Sequence, residues 1–260
     1  MHYKLHIPFM NREDLLRDAI ESARPIGNIH VWANTVPSPD IAGVGHHALP
    51  PLPNVAVFNL MIQSSWNDDV MLWLHNDGLI LPGVGERFLS YVTERLDQRW
   101  GMVMTTYDVL CAFNMRAVRE VGYWDTMFFQ YTVDVDYYRR LLLANWPILQ
   151  FGPGNNEEVQ HRKPNGDPHG GSNTIQADPL YNYRIQLRNH TGIDGAYFMC
   201  KWGLHEKHWA DINAGFKRPF DDFVATGMKH PGSWQRWFNE CLAQRHRGVH
   251  ERQMQRGLRA

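Results

Sequence analysis

The stretch Val70-Met71-Leu72-Trp73-Leu74-His75-Asn76-Asp77-Gly78 determines how the rest of this chain is interpreted. Its first five residues are all apolar, which is the right length and composition for a strand buried on both faces of a sheet. Three polar side chains follow, and ligands of open α/β sheets bind at the carboxyl ends of the strands. A carboxylate there, next to a glycine that admits a close backbone or phosphate, suits a divalent cation carrying a phosphorylated ligand. The alternative is an ordinary exit from a strand, in which Asn-Asp-Gly forms a turn.

The overall composition predicts a soluble, cytoplasmic globular protein. The chain has 260 residues, of which 43% are hydrophobic, enough for one large domain or a domain with an appendage. Its formal net charge of -1 provides no general attraction to nucleic acid or membranes. Cys111, Cys200 and Cys241 match neither a disulfide framework nor a zinc site, as expected in a reducing compartment. The first residues lack the apolar core of a signal peptide, and no apolar run approaches the roughly 20 residues of a transmembrane segment.

Strand-like and helical segments alternate along the chain, which predicts a mostly parallel, doubly wound sheet. Apolar runs and alternation predict strands at residues 3–9, 29–33, 55–60, 70–74, 100–107 and 148–151. Helical spacing predicts helices from residue 11, over 84–98, over 113–122, from 135, over 178–189 and over 193–202. Residues 37–53 and 161–174 are rich in glycine, proline or polar side chains, which predicts loops.

The composition changes from residue 204 onward, and residues 234–260 are predicted to form a basic, partly helical segment. Six arginines in this segment are opposed only by Glu240 and Glu251. Such a segment could hold an anionic polymer, including DNA or RNA. A solvated basic face or a peripheral contact with a membrane is equally consistent with it.

Polar clusters follow several of the predicted strands: Asn34-Thr35, His75-Asn76-Asp77 and Asp134-Val135-Asp136. Parallel topology can bring the carboxyl ends of these strands to one rim of the sheet. Magnesium and manganese prefer oxygen ligands, and manganese tolerates an imidazole, so Asp77 with His161 or His169 and two phosphate oxygens is a plausible shell. Taken singly, each residue has a structural explanation: Asp134 as a helix cap and the histidines as solvated loop residues.

Five segments carry a family resemblance. Ile7-Pro8-Phe9-Met10-Asn11-Arg12, with the helix after it, resembles the first strand and helix of the family, and His75-Asn76-Asp77 stands where the family has Asp-x-Asp. The segment 121–125 and then 133–140 resemble its Gly-x-x-Asp segment followed by Glu-Asp-x-Asp and a helical arginine. Residues 197–203 resemble its closing aromatic-lysine-tryptophan-glycine segment. From about residue 4 to residue 203, the chain resembles GT-A glycosyltransferases of the large inverting family 2 type.

This resemblance implies an α/β fold of the GT-A type, a Rossmann-like, mostly parallel sheet flanked by helices, with a C-terminal helical extension. Residues 1–203 would form the glycosyltransferase domain, with a donor half over 1–100 and an acceptor half over 101–203, and residues 204–260 the extension. The implied activity is metal-dependent, inverting transfer of a sugar from a nucleotide-sugar donor to an acceptor hydroxyl. The acceptor could be a glycan, a lipid-linked saccharide or a hydroxylated nucleic-acid base.

The resemblance also implies roles for particular residues. Asp134 would be the catalytic base. The nucleotide-sugar donor would contact Pro8, Asn11, Arg12, Asn34, Asn76 and Asp77. A manganese or magnesium ion would be bound by Asp77, His161 and His169. The acceptor would contact Tyr123, Trp124, Asp125 and Trp202, although the aromatic residues among these are as readily explained as core.

The chain departs from the family pattern at three positions. His75 replaces the first aspartate of Asp-x-Asp, Val133 replaces the glutamate before Asp134, and Asn34 replaces the aspartate that usually reads a uracil. An amide can still offer a carbonyl to the N3–H of a base but selects less strongly than a carboxylate, so the donor base stays open.

Two other functions are compatible with the sequence. The incomplete Asp-x-Asp favours a catalytically inactive GT-A-like protein that binds a nucleotide or glycan. A nucleotidyltransferase on a related sheet is the other alternative. Against it, residues 11–14 contain no glycine and therefore form no glycine-rich phosphate loop.

Overall fold

The computed structural model describes residues 1–35, 37–105, 108–128, 133–152 and 158–161, together with Asp194, Tyr197, Phe198 and Lys201. The strands within these residues are β1 Tyr3–Phe9, β2 Ile29–Ala33, β3 Gly45–Ala48, β4 Val70–Leu74, β5 Gly78–Ile80, β6 Met102–Met104, β7 Leu110–Asn114, β8 Ile148–Gln150 and β9 Val159–His161. The helices are α1 Glu13–Ala23, α2 Asn54–Ser64, α3 Val84–Thr93, α4 Met115–Val121 and α5 Val133–Leu143.

Seven of the strands form one mixed sheet in the order β3-β2-β1-β4-β7-β6-β8. Strands β1, β2, β3 and β4 run parallel, and β6 is parallel to β8. Strand β7 is antiparallel to both of its neighbours, β4 and β6. This mostly parallel sheet, flanked by helices, confirms the predicted Rossmann-like α/β fold.

Strand β4 lies in the middle of the sheet, and all five of its residues are buried. Met71 and Trp73 pack into a core with α2, α4 and α5, whereas Val70, Leu72 and Leu74 pack into a second core with α1 and α3. Helices therefore cover both faces of the strand, which explains why its apolar residues are consecutive instead of alternating.

Several predicted elements are confirmed with their buried faces. Strands β1, β2 and β4 have the predicted bounds. Helix α1 buries Leu15, Leu16, Ala19, Ile20 and Ala23, which are the residues at helical spacing. Helix α4 ends at Gly122, whose φ of 87° belongs to the left-handed region that glycine adopts without strain.

Other predictions are wrong. Residues 55–60 lie within helix α2, not in a strand, because a short apolar run has the same pattern in a buried helix. Strand β3 lies in the predicted loop 37–53 and forms an edge of the sheet. Strand β7 extends to Asn114, so it includes the first two residues of the helix predicted over 113–122. Helix α3 ends at Thr93, not near residue 98. His161 is the last residue of β9, which pairs with β5, so it is not in a loop.

The C-terminal predictions lie largely outside the described residues. Asp194, Tyr197, Phe198 and Lys201 are helical, in agreement with the predicted helix over 193–202. The predicted helix over 178–189, the domain boundary near residue 203 and the basic segment 204–260 are not among the described residues and stay predictions. No helix in the described part of the chain is both long enough and apolar enough to cross a membrane.

Candidate functional site

The carboxyl end of β4 forms a tight, buried turn. The His75 amide donates to the carbonyl of Val109, and the Gly78 amide donates back to the carbonyl of His75. This turn leaves Asp77 only 3% exposed, on the rim of the sheet. A Cβ at Gly78 would lie 2.7 Å from a methyl group of Leu74 and 2.8 Å from one of Val109. The glycine is thus required by side-chain packing, whereas the sequence suggested that it makes room for a phosphate.

Residues at the end of β1 meet those at the end of the neighbouring strand β4. The Asn76 side-chain amide donates to the main-chain carbonyl of Asn11 at 3.4 Å. Two of the residues predicted to bind the nucleotide-sugar are therefore in contact. Arg12, which precedes α1, has a left-handed φ of 64° and binds Asp14 through two hydrogen bonds of 2.9 and 2.6 Å. These hydrogen bonds from Arg12 lower the pKa of Asp14.

Asn34 follows β2 and is fixed by two hydrogen bonds to Leu52. Its side-chain nitrogen donates to the Leu52 carbonyl and its side-chain oxygen accepts from the Leu52 amide, both at 2.7 Å. The amide therefore holds the segment after β3 against the end of β2. Its predicted role in reading a donor base would require the same oxygen to exchange this contact for the base. Pro8 lies within β1, opposite Trp32.

Sequence reasoning missed Asp108. This residue lies in the turn between β6 and β7, with a left-handed φ of 47°, and it is buried. Its carboxylate accepts a 2.7 Å hydrogen bond from the Tyr138 hydroxyl and lies 3.9 Å from His75 Nε2. His75 Nδ1 in turn lies 3.9 Å from the Asp77 carboxylate, so the imidazole stands between the two acidic residues. The available signal was a carboxylate directly after the strand predicted at 100–107.

Asp134 lies in the first turn of α5, as predicted, and its carboxylate accepts from the Val135 amide at 2.8 Å. Burial raises the pKa of Asp134 to about 6. Burial also raises the pKa of Asp108, and the charge of Asp134 raises it further. Since Tyr138 is one helical turn after Asp134, the helix face that carries Asp134 is the one that contacts Asp108.

Asp136, two residues after Asp134, is fully buried and ion-paired. Its carboxylate lies 3.1 Å from Arg140 and 2.9 Å from Lys201. Lys201 also contacts Asp125 at 2.7 Å, and the Tyr197 hydroxyl donates to Asp125 at 2.8 Å. Burial opposes the ionisation of Asp125, but the hydrogen bonds from Lys201, the Met127 amide and Tyr197 outweigh it and lower its pKa. These pairs connect the helical residues near 201 to α5.

The aromatic residues predicted to contact the acceptor have different surroundings. Trp124 is 4% exposed and stacks on Phe58 with ring centroids 3.8 Å apart, so its burial favours the core interpretation. Tyr123 is 44% exposed and stacks on Trp66 at 5.4 Å. Trp202 lies outside the described residues.

The residues at the rim match a divalent cation in chemistry but do not form a complete shell. Asp77 and Asp108 supply carboxylate oxygens, the ligands that magnesium and manganese prefer, with the His75 imidazole between them. Among the residues that the structure describes, no group of three or more His, Cys, Asp or Glu is arranged to hold a metal ion. The backbone of His161 pairs with Gly78, next to Asp77, whereas His169 is not among the described residues.

Comparisons with known proteins give structural similarity only. No protein-family model and no curated protein sequence matches the chain. A mannosyltransferase from Pyrobaculum calidifontis, solved with GDP-Man and Mn²⁺, is 11% identical, with a TM-score of 0.48 over 94% of this chain and 86% of that one. S. aureus TarS 1-349 is 9% identical, with a TM-score of 0.44 over 58% of both chains. A cytidylyltransferase from Leptospira borgpetersenii is 10% identical, with a TM-score of 0.41 over 62% of this chain and 82% of that one.

The chain spans 58% of TarS 1-349 and 35% of the longer TarS structure.

Proposed function

We propose that this protein is a metal-dependent, inverting glycosyltransferase that moves a sugar from a nucleotide-sugar donor to an acceptor hydroxyl. The observation that carries the proposal is the hydrogen bond from Tyr138 to Asp108, because it directs the Asp134 face of α5 toward the polar end of β4. The half-buried carboxyl group of Asp134 thereby lies at the same rim of the sheet as Asp77 and Asn76. Ligands of open α/β sheets bind at such a rim.

The donor would bind where β1 and β4 end. Asn11 and Asn76 are in contact there, and Asp77 follows directly, so hydrogen-bonding groups and a buried carboxylate surround the same position. A divalent cation bound by Asp77, with His161 and His169 as proposed further ligands, would neutralise negative charge on the departing diphosphate. His75 lies beside Asp77, with Asp108 at the other nitrogen of its ring, so the imidazole would help to position the Asp77 carboxylate.

Asp134 would act as the general base. A carboxyl group with a pKa near 6 is mostly ionised at pH 7, yet it is more basic than an ordinary aspartate. It would take the proton of the acceptor hydroxyl while that oxygen forms a bond to the anomeric carbon. The bond from the anomeric carbon to the diphosphate oxygen breaks at the same time, and its electrons leave with the nucleoside diphosphate. Attack from the opposite face inverts the configuration.

The acceptor is proposed only as a class: a glycan, a lipid-linked saccharide or a hydroxylated nucleic-acid base. The exposed ring of Tyr123, supported by Trp66, supplies an aromatic surface of the kind that sugars and bases stack on.

Cys111 is buried as a free thiol, which supports a reducing, cytoplasmic setting.

The test is an assay of nucleoside diphosphate release from a panel of nucleotide-sugars, with Mn²⁺, Mg²⁺ or a chelator. We expect metal-dependent release from at least one donor, and the anomeric configuration of the transferred sugar should be inverted. Pyrophosphate release from a nucleoside triphosphate and a sugar phosphate would instead identify a nucleotidyltransferase. Binding of a donor without turnover under any condition would identify an inactive binding protein.

A further inference from the structure

Two histidines on neighbouring strands at the β3 edge of the sheet point their ring nitrogens at each other. His30 Nδ1 on β2 lies 3.0 Å from His47 Nε2 on β3, and the two rings are stacked with centroids 5.3 Å apart. His30 lies four residues before Asn34, about 13 Å along a strand, so the pair is remote from the rim described above.

Three contacts hold the pair in this arrangement. Asn28 donates its side-chain amide to the Tyr3 carbonyl, which leaves its oxygen to accept from His30 Nε2 at 3.3 Å. The hydrogen of His30 is thereby placed on Nε2, so His30 Nδ1 accepts a hydrogen bond from the Nε2–H of His47 while no metal is bound. A metal ion would take the place of that hydrogen, with the His47 hydrogen then on Nδ1. The His47 ring stacks on Trp32, with centroids 3.9 Å apart and an angle of 9°.

Glycine at position 45 makes the approach of the two rings feasible. Gly45 pairs with His30 in the register of β2 and β3, and a Cβ there would lie only 2.6 Å from His30 Nδ1. Any other residue would displace the ring from its place beside His47. Strand β3 thus supplies His47, and the absence of a side chain at Gly45 leaves room for His30 of β2.

We propose that His30 and His47 form a two-imidazole binding site for a late first-row divalent metal ion such as Zn²⁺, which joins edge strand β3 to β2. Two nitrogens at about 2.0–2.1 Å from one ion lie about 2.9 Å apart at a right angle and about 3.4 Å apart in a tetrahedron. The observed 3.0 Å falls between these values. The hydrogen bond from His30 Nε2 to Asn28 is of the kind that orients metal-binding histidines.

The surrounding groups allow a cation to bind. The Lys4 ammonium opposes a cation at this place, but it is paired with Asp68 at 2.9 Å and bonds the Ser64 carbonyl. His6 is not a third ligand, since its ring nitrogens contact Trp32 and Ser65. Water molecules would complete the shell.

The test is calorimetric titration of the full chain with Zn²⁺ in excess Mg²⁺, which occupies oxygen sites and does not compete for imidazole. His30→Gln and His47→Gln should each abolish one binding event seen in the wild type. His46→Gln is the matched control, because His46 is adjacent to His47 and bonds Ile41 instead. It should retain the event, and Gly45→Ala should weaken it.

Urea unfolding provides a second readout. A ligand of the native state raises its stability, so Zn²⁺ should raise the midpoint for wild type and His46→Gln but not for the two pair variants. The proposal is overturned if the wild type lacks the event, if the event survives either pair variant, or if it is lost in His46→Gln. None of these results depends on glycosyltransferase activity.

Discussion

The Tyr138 hydroxyl donates a 2.7 Å hydrogen bond to the carboxylate of Asp108, and this contact connects α5 to the turn between β6 and β7. Because Tyr138 is one helical turn after Asp134, the same contact fixes the direction of the proposed catalytic face. Asp108 also lies 3.9 Å from His75, which follows β4. Three elements that are distant in sequence, α5, the turn between β6 and β7 and the end of β4, therefore meet around the buried carboxyl group of Asp108.

Asp134→Asn should lower turnover by about 10²–10⁴-fold with little change in donor affinity, since a general base acts only in the chemical step. The same variant should be no less stable than the wild type at pH 7. Burial raises the pKa of Asp134 to about 6. The ionised carboxylate, which predominates above pH 6, is therefore less favourable in the native state than in the unfolded chain, and an amide removes that cost. Single-turnover transfer and thermal unfolding measure the two effects, and a near wild-type rate would refute the assignment.

Asp136→Asn should lower the stability of the protein and leave the chemical step largely intact, which is the opposite of the effect expected for Asp134→Asn. Its carboxylate is fully buried between Arg140 and Lys201, so loss of its charge leaves two cations partly uncompensated. We expect a loss of about 3 kcal/mol in the free energy of unfolding, with a much smaller effect on the transfer rate of the folded fraction. Urea denaturation checks the stability, and a large rate loss in a stable variant would contradict this structural role.

Asp108→Asn should leave the acid limb of the pH profile near pH 6. Activity that needs ionised Asp134 declines as the pH falls through about 6, a value set by burial. Burial and the charge of Asp134 raise the pKa of Asp108 well above its usual range, so Asp108 is neutral while Asp134 ionises. Tyr138→Phe keeps both carboxyl groups and serves as the control for lost packing. A decline displaced to lower pH in Asp108→Asn would show that a charged Asp108 raises the pKa of Asp134.

Asp77→Ala should abolish metal-dependent nucleotide binding while the fold is retained. Asp77 is the buried carboxylate at the end of β4, and it supplies the oxygen ligands that Mn²⁺ prefers. Calorimetry with a nucleoside diphosphate and Mn²⁺ measures the effect, and unchanged affinity would refute the metal assignment. If His161 or His169 also binds the ion, affinity for Mn²⁺ should fall as the pH drops through about 6.5, because imidazole must be neutral to bind.

His6 should make the protein sensitive to acid. Burial lowers its pKa well below 6.5, and both ring nitrogens are in hydrogen-bond contact, with Trp32 and Ser65. Between the folded and unfolded pKa values the unfolded chain binds more protons, so this contribution to stability is present above pH 6.5 and is lost as the pH falls. Urea midpoints from pH 7.5 to 5 should therefore decline, and less steeply in His6→Gln. Equal slopes in both proteins would exclude His6 as the cause.

The local patterns of the chain determined much of its architecture. Helical spacing predicted α1 with its buried residues, and the apolar run of β4 predicted a central strand covered on both faces, because burial and periodicity are local properties. The polar residues after β2 and β4 could be placed on one rim because parallel strands end at the same edge of a sheet. The run at 55–60 could not be assigned correctly, since an all-apolar segment packs equally well as a helix or a strand.

Only the tertiary structure decided which polar residues meet. Asp108 meets His75 and Tyr138 because β7 turns back antiparallel between β4 and β6. In the same way, Asp136 is committed to Lys201, 65 residues away, and His30 meets His47 only through the parallel pairing of β2 with the edge strand β3. Sequence patterns report which side of an element is buried, but the partner of a buried charge or an imidazole is set by long-range packing.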